Sequence, residues 1–219
     1  MRAALIPMKD FAGAKMRLAG VLDADARAEL ARAMLVDVIE ACVASACFDL
    51  VAVVSGDSEV FWQARESGAK PIAEPATLSG LNDSVTFGVR YCARRAGASQ
   101  IVILPADLPL VRAEDVRTVV DALDGGGPRA VIVRARDNGT NALALRPPES
   151  IPFRYGIDSA DAHIAAAREA GLEVVVLENE RLAFDIDAPA DLDAMASLPA
   201  SAATAGWLAA RAGLAGGRA

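Results

Sequence analysis

Two kinds of apolar pattern alternate along the chain. Short, mostly apolar runs rich in β-branched residues predict strands. They cover residues 3–6, 50–55, 70–74, 100–107, 129–135, 141–146 and 173–178. Longer alanine-rich runs, with apolar residues every three or four positions, predict helices. They cover residues 24–45, 58–68, 81–97, 113–123, 158–171 and 188–198.

This regular alternation predicts an α/β fold with helices on both faces of a mostly parallel sheet. Unbroken apolar strands agree, because a parallel strand is covered on both sides. Residues 129–135 and 141–146 are joined only by the link RDNGT, which indicates one antiparallel strand. We therefore expect a single three-layer α/β/α domain over residues 1–198. The Ala/Gly-rich tail 199–219 is either a loose helix around Trp207 or a frayed end.

The loop after the first predicted strand is basic. It contains Lys9, Lys15 and Arg17 within nine residues. Ligands of such sheets bind at the carboxyl ends of the strands, where this loop must lie. Three cations at that place, in a chain of net charge −7, predict a polyphosphate site. A solvated surface loop is the alternative interpretation.

A single carboxylate, Asp107, lies between Pro105 and Pro109 where a buried apolar run gives out. The prolines fix the backbone and remove N–H donors, so the turn is stiff. An ordinary turn or capping aspartate is the alternative. However, the next predicted helix begins near Ala113, too far away for Asp107 to cap it. A carboxylate on a stiff turn beside a ligand crevice favours a hard cation such as Mg²⁺.

Two further aspartates, Asp185 and Asp187, alternate in the segment FDIDAP. In an extended segment both side chains lie on one side of the chain. Asp187 could instead cap the helix that starts near Pro189, whereas Asp185 lies ahead of any such start. If Asp107 meets this pair across neighbouring strand ends, the carboxylates form a Mg²⁺ site.

A second polar group comes later in the chain. Thr140 and Asn141 follow a tight turn, Gly156 comes shortly before a predicted helix, and Ser159 lies at the start of that helix. Helix N–H groups and a serine hydroxyl together predict a phosphate site, with a plain N-cap serine as the alternative. His163 lies one turn further along the same helix face. A satisfied histidine without ligand contact is the alternative for that residue.

Composition narrows the classes of function. The net charge of −7 and the pI of about 4.8 argue against a nucleic-acid partner, which needs a basic surface. No apolar run approaches the ~18 residues of a membrane span. The first ten residues lack the apolar length of a signal peptide. Three cysteines without CxxC spacing predict reduced thiols and a cytoplasmic protein, and one histidine excludes a multi-histidine metal site.

A resemblance to a known family rests on five motifs and one spacing. The motifs are IPMKDFAGAKMRLA, SGLNDSV, LPADLPLV, DNGTNALALRPP and FDIDAPADL, and the spacing is that of the later F-R-Y-G…S…H segment. The chain resembles the 2-phospho-L-lactate guanylyltransferase family (CofC/FbiD type), within the MobA-like nucleotidyltransferases of GT-A type. The matching segments spread over residues 1–195. The resemblance implies a nucleotide-diphospho-sugar-transferase fold and a role in synthesis of the deazaflavin coenzyme F420.

The resemblance also implies a reaction. Together with the loops described above, it implies which residues bind the metal, the nucleotide and the acceptor. GTP would be the donor and a phosphorylated three-carbon acid the acceptor. Mg²⁺ would bind Asp107, Asp185 and Asp187. The catalytic residues would be Asp107, Lys15 and Arg17. The predicted nucleotide contacts are Lys9, Lys15, Arg17, Ser55, Asn82 and Asp107. The predicted acceptor contacts are Thr140, Asn141, Gly156, Ser159 and His163. The oligomeric state stays open, a homodimer included.

One segment departs from the family pattern. Where the family reads close to G-P-G-S-F, this chain has Gly156-Ile157-Asp158-Ser159-Ala160. The acceptor therefore stays open among 2-phospho-L-lactate, phosphoenolpyruvate and 3-phospho-D-glycerate. Two rival functions stay open as well. One is a molybdopterin or sugar-phosphate nucleotidyltransferase, whose glycine-rich LxGGxGxRM-like loop this chain lacks, and the other is a non-catalytic nucleotide-binding regulator.

Overall fold

One sheet forms the middle layer of the protein. The computed structural model describes the backbone of residues 1–216 and the side chains of residues 1–211. Within that range the strands are β1 (Arg2–Pro7), β2 (Leu50–Ser55), β3 (Lys70–Ala73), β4 (Gln100–Ile103), β5 (Arg129–Arg134), β6 (Thr140–Arg146) and β7 (Glu173–Val176). They lie in the order β3-β2-β1-β4-β6-β5-β7. Strand β6 is antiparallel to β4 and β5, and the other pairs are parallel, which confirms the predicted sheet.

Helices cover both faces of the sheet. They are α1 (Ala24–Ser45), α2 (Ser58–Glu66), α3 (Leu81–Arg90), α4 (Ala113–Leu123), α5 (Ser159–Glu169), α6 (Pro189–Met195) and α7 (Ala202–Gly216). Helices α1, α2 and α4 share one buried apolar cluster with the sheet, and α3 and α5 share a second. The three-layer α/β/α prediction is therefore confirmed. Among the described residues, no helix is both long and apolar enough to cross a bilayer.

Strand β4 ends four residues before the predicted limit. Its last residue is Ile103, and the N–H of Leu104 still bonds to the carbonyl of Leu5 at 3.1 Å. Pro105 has no N–H to continue this ladder, so the strand stops there. Asp107 consequently lies in the turn beyond the sheet rather than in a strand.

The predicted helix over residues 81–97 changes its winding before it ends. Helix α3 stops at Arg90, and the chain continues as a π-helical turn over Tyr91–Arg95. Gly97 then takes a left-handed conformation, with φ of 80°, that favours glycine. Both predicted limits of this helical region are thus close to the observed ones.

The predicted tail is helical over the part that the structure describes. Helix α7 begins against α1, where the buried carboxylate of Asp37 accepts the N–H groups of Ala203 and Thr204 at 2.8 and 2.9 Å. Burial raises the pKa of this carboxyl group, although the bonds from α7 act in the opposite direction. Trp207 packs against a third apolar cluster. Residues 217–219 of the predicted tail lie outside the described range.

Two helical glycines make opposite predictions for stability. A Cβ on Gly88 of α3 would lie 2.8 Å from both methyl carbons of Leu5, so helix and sheet touch there. We expect Gly88→Ala to lower the free energy of unfolding by about 1–3 kcal/mol through overpacking. A Cβ on Gly206 of α7 would meet no atom within 4 Å. Gly206→Ala should therefore raise the free energy of unfolding by about 0.5–1 kcal/mol.

The two variants control for each other in urea unfolding followed by circular dichroism. The midpoint should move down for Gly88→Ala and up for Gly206→Ala, with the slope unchanged in both. Shifts in the same direction would contradict the packing described for α3 or for α7.

Candidate active site

A cleft of about 360 Å³ opens at the carboxyl ends of the central strands. The chain proceeds from β1 to β2 on one side, and β4 pairs with β1 on the other. In open α/β sheets, ligands bind at such a reversal of strand order. The polar residues that line the cleft and were predicted to bind ligand are Lys9, Lys15, Asp107, Thr140, Asn141 and Asp185.

The turn that carries Asp107 is held by apolar side chains. Leu104 and Leu108 are buried before and after Asp107, and the N–H of buried Val111 bonds to the carbonyl of Leu108 at 3.3 Å. Helix α4 starts only at Ala113, so Asp107 caps no helix. Its carboxylate instead faces the cleft.

The segment that carries Asp185 and Asp187 is anchored to α4. Arg181 donates two hydrogen bonds, at 2.8 and 2.7 Å, to the buried carboxylate of Asp115 in the first turn of that helix. Leu182 is fully buried next to this ion pair. A bidentate pair of this kind fixes geometry as well as charge. The anchor directs the two downstream aspartates across the sheet toward Asp107.

Three carboxylates converge as a result, and we call Asp107, Asp185 and Asp187 the acidic cluster. One oxygen from each lies within 4.8 Å of the others. Asp187 does not cap α6, because its carboxylate bonds to Lys15 and Arg17 and the N-cap position of that helix is Ala188. The capping alternative for Asp187 is therefore not observed.

The cluster disturbs the ionisation of Asp185. Burial, and after it the negative charge of Asp107, raises the pKa of the Asp185 carboxyl group to about 6. A hydrogen bond from the Asn141 amide at 3.2 Å offsets part of this rise. Carboxyl groups forced together in this way favour a bound cation or a proton.

In this structure the positive charge next to the acidic cluster comes from the Lys15 ammonium. This ammonium contacts Asp107 and lies 3.2 Å from Asp187, and the Lys15 side chain is only 9% exposed. Burial by itself would lower the pKa of this amine, but attraction and hydrogen bonds from Asp107 and Asp187 outweigh it and raise the pKa. Arg17 reaches Asp187 from outside at 3.1 Å, with most of its side chain in solvent.

The acidic cluster has the chemistry of a site for a hard divalent cation. Mg²⁺ takes oxygen ligands in an octahedral shell, usually one or two carboxylates with water and substrate phosphates in the remaining positions. The raised pKa of Asp185 and the lysine drawn in between the other two carboxylates show that the cluster attracts positive charge. The residues present therefore fit such an ion.

A second polar group reaches the cleft through Thr140. Thr140, at the start of β6, bonds through its hydroxyl to Ser159 and to His163, each at 3.0 Å. Gly156 is exposed and has φ of 142°, a conformation that disfavours other residues. The structure thus brings these four predicted residues together at the amino end of α5.

Three predicted ligand contacts have other roles. Ser55 is fully buried, and its hydroxyl donates to the carbonyl of Lys9 at 2.9 Å. Asn82 uses both ends of its amide on the backbone of Tyr155, at 3.1 and 2.7 Å. His163 has no exposed surface, and both ring nitrogens bond to the protein. These side chains support the cleft from behind, because protein groups already use their polar atoms.

Sequence reasoning missed Tyr155 and Asp10, which line the cleft. Tyr155 packs edge-on against the His163 ring, with the centroids 4.9 Å apart. Asp10 accepts the N–H of Gly13 and so closes the basic loop on itself. An aromatic residue directly before Gly156 was the available signal for Tyr155. A lone aspartate in a basic loop gave no comparable signal.

Asp158, where the chain departs from the family pattern, bonds to Asn138 and not to the Thr140 hydroxyl. Its backbone is left-handed, with φ of 53°, and aspartate tolerates that conformation better than most residues. Its carboxylate accepts a hydrogen bond from the Asn138 amide at 2.9 Å, and the residue is exposed. The extra acid is thus held on the outside of the turn.

Comparison with known proteins identifies relatives that match nearly the whole chain, including all residues of the cleft. A family model described as "Guanylyl transferase CofC like" matches residues 1–202. The phosphoenolpyruvate guanylyltransferase of Conexibacter woesei is 40% identical over 199 residues, covering 90% of this chain and 88% of that protein. The 3-phospho-D-glycerate guanylyltransferase of Phenylobacterium zucineum is 34% identical over 209 residues, covering 94% of each chain.

A solved structure supports the fold. The crystal structure of a Desulfovibrio desulfuricans G20 protein, assigned as a nucleotide-diphospho-sugar transferase, matches with a TM-score of 0.75. It covers 97% of this chain and 96% of that chain at 20% sequence identity. This likeness confirms the predicted fold class. At 20% sequence identity it carries no conclusion about function.

Removing the Lys15 ammonium should strengthen metal binding. In the nucleotide-free protein the Lys15 ammonium bonds to Asp107 and Asp187, so a divalent metal at the acidic cluster would have to compete with it. We expect Lys15→Met to bind Mn²⁺ about tenfold more tightly than wild type, measured by the electron paramagnetic resonance signal of free Mn²⁺. Lys9→Met is the matched control and should leave the affinity nearly unchanged. Weaker binding by Lys15→Met would show that the lysine does not occupy the cation position.

Asp185 should make the metal-free protein less stable as the pH rises. Its folded-state pKa of about 6 exceeds the ordinary 3.8, so the folded protein holds this proton more tightly than the unfolded chain does. That contribution is present at low pH and is lost as the pH rises through about 4 to 6. In EDTA, Asp185→Asn should therefore be more stable than wild type at pH 8, by roughly 1 kcal/mol after solvent screening.

The comparison needs a second pH and a surface control. Near pH 4 the stability of Asp185→Asn and wild type should converge, and exposed Asp193→Asn should match wild type at both values. A constant difference across the pH range would assign the effect to packing instead of ionisation.

Proposed function

Because the chain belongs to the CofC-like family of guanylyltransferases, we propose that it transfers GMP from GTP to a phosphorylated three-carbon acid and releases pyrophosphate. The observation that carries this proposal is the acidic cluster beside a basic loop at the strand-order reversal of the sheet. We further propose that the product feeds synthesis of the deazaflavin coenzyme F420, as the family resemblance implies.

The donor side of the cleft suits a triphosphate. Lys9 is exposed on the cleft wall, Lys15 lies at its floor, and Arg17 stands outside Asp187. A nucleoside triphosphate offers oxygens that can replace the carboxylates as partners of Lys15. The loop itself is tied down, since the carbonyl of Lys9 accepts from Ser55 and the N–H of Met8 bonds to Val54 at 3.0 Å.

We assign the metal position to the acidic cluster and expect Mg²⁺ there. Asp107, Asp185 and Asp187 would hold the ion, which when bound would supply positive charge against the triphosphate. Asn141 would keep Asp185 oriented through its amide hydrogen bond. Arg181 would keep the same segment in place through Asp115.

The reaction needs no general base from the chain. A phosphate monoester has a second pKa of about 6 and is largely dianionic at pH 7, so its oxygen is already a nucleophile. That oxygen forms a bond to the α-phosphorus of GTP while the α-phosphorus–oxygen bond to the leaving pyrophosphate breaks. The residues of the cleft would act by orientation and charge neutralisation.

The acceptor is chosen among three phosphorylated three-carbon acids, each with one carboxylate and one phosphate group. The relative at 40% identity is named for phosphoenolpyruvate, and the one at 34% identity for 3-phospho-D-glycerate. Because the relative named for phosphoenolpyruvate has the higher identity, we propose phosphoenolpyruvate as the acceptor. The alternatives are 3-phospho-D-glycerate and 2-phospho-L-lactate. Thr140, Gly156 and Ser159 would face the acceptor's phosphate or carboxylate.

Pyrophosphate release tests the reaction and the acceptor together. Each of the four ribonucleoside triphosphates is incubated with each of the three acids and Mg²⁺, with no-acceptor controls. We expect release with GTP and most rapidly with phosphoenolpyruvate. Nucleotide binding without pyrophosphate release in every combination would favour a non-catalytic regulator instead.

Asp107→Asn tests the acidic cluster in the same assay. It should lower the rate by about 10²-fold or more, since charge stabilisation of a transition state is worth that much. Exposed Asp121→Asn on α4 is the matched control and should keep the wild-type rate. Melting temperatures of both variants within a few degrees of wild type would separate catalysis from folding. Normal turnover by Asp107→Asn would remove this residue from the site.

A further inference from the structure

One buried histidine joins three segments beside the cleft. The ring of His163 on α5 is completely enclosed. Its Nε2 atom accepts the backbone N–H of Arg154 at 2.9 Å, and its Nδ1 atom lies 3.0 Å from the Thr140 hydroxyl. That hydroxyl in turn lies 3.0 Å from the Ser159 hydroxyl. The ring thus connects β6, the segment before α5 and the first residue of α5.

The backbone bond fixes the position of the ring proton. A backbone N–H can only donate, so Nε2 must present its lone pair to Arg154. A neutral imidazole then carries its hydrogen on Nδ1 and donates it to Thr140. Burial, with a smaller effect of the Arg154 charge, lowers the pKa of His163 to about 4, which keeps the ring neutral near pH 7.

The position of that proton determines what the two hydroxyls can offer. Thr140 and Ser159 have two hydroxyl hydrogens, and their mutual bond uses one. If Nδ1 donates to Thr140, the second hydrogen is left free, whichever hydroxyl donates within the pair. If Nδ1 were instead an acceptor, Thr140 would donate to the ring and Ser159 to Thr140, and none would remain. Among the described residues, the only side-chain partners of the two hydroxyls are each other and the ring.

We propose that His163 is a positioning residue of the acceptor site, whose Nδ1–H group leaves one hydrogen of the Thr140–Ser159 pair free to donate to an anionic ligand oxygen. This rests on the proposed function. A phosphate dianion or a carboxylate can only accept, so a site for it needs donors. Thr140 lines the cleft, which places the pair at its wall.

The same ring also orients the backbone before α5. His163 holds the N–H of Arg154, and Asn82 holds both backbone groups of Tyr155. Two side chains from different helices therefore fix consecutive residues just ahead of Gly156. A Cβ on Gly156 would meet no atom within 4 Å, so the space beside it is open for a ligand. A loss of the ring would release both the hydroxyl pair and this segment.

Nitrogen NMR tests the tautomer without any substrate. The chain has one histidine, so ¹⁵N-histidine labelling of tag-free protein gives a single imidazole spectrum. We expect the neutral Nδ1–H form with no protonation between pH 8 and about pH 5. The Nε2–H form, or a charged ring at pH 7, would overturn the proposal. This result does not depend on whether the protein turns over GTP.

Kinetics then test the positioning role. His163→Gln cannot donate from the Nδ1 position, and Thr140→Val removes the hydroxyl at nearly constant volume. Each should raise the KM for phosphoenolpyruvate, or for whichever acid proves to be the acceptor, by about 10- to 100-fold. The KM for GTP should stay within about twofold. His163→Asn, whose amide can place a donor near Nδ1, should recover part of the loss.

The double variant His163→Gln/Thr140→Val gives the sharper outcome. If both residues act through one free hydrogen, the double variant should be no worse than the single ones. Additive losses, or equal increases in both KM values, would reduce His163 to a packing residue and overturn the proposal. If wild type transfers GMP to none of the acids, the proposed function fails. The role of the ring is then tested by measuring the affinity of the same variants for phosphoenolpyruvate and for GTP. The variants should bind phosphoenolpyruvate more weakly than wild type and GTP about equally well.

Discussion

Three carboxylates with one oxygen each within 4.8 Å of the others repel one another and attract a cation or a proton, and the rest of the site depends on that constraint. Each aspartate alone is an ordinary turn residue. Together they raise the pKa of Asp185 and draw in Lys15 despite the desolvation of its ammonium. A protein would not retain this repulsion for stability, because apolar residues would pack there without it. We infer that the cluster exchanges the Lys15 ammonium for a divalent metal ion when substrate binds.

The fold delivers the charges from separate parts of the chain. Proline ends β4 and leaves Asp107 on a stiff turn, while the Arg181–Asp115 pair anchors the segment that returns from the sheet edge. The loop after β1 brings Lys15 across the same crevice. None of these elements is close to the others in sequence. The antiparallel strand β6 then adds Thr140 and Asn141 to the lining of the same cleft, next to the acidic cluster.

The sequence predicted the fold class and the place of Asp107 because strand ends are readable from apolar runs, and it singled out Asp185 and Asp187 by their alternation in FDIDAP. It placed residues at the correct edge of the sheet but not the direction of each side chain. Ser55, Asn82 and His163 lie at that edge, yet they turn toward the backbone that they support. Hydrogen-bond partners distant in the chain decide such directions, and local patterns do not contain them. The packing of α7 on Asp37 was hidden for the same reason.

Anomalous diffraction from crystals grown with Mn²⁺ and a non-hydrolysable GTP analogue tests the central claim most directly. The account predicts a manganese peak within about 2.2 Å of oxygens from Asp107 and from Asp185 or Asp187. It also predicts that the Lys15 ammonium has moved from the carboxylates to a phosphate oxygen. A manganese ion bound elsewhere, with Lys15 still between Asp107 and Asp187, would contradict it.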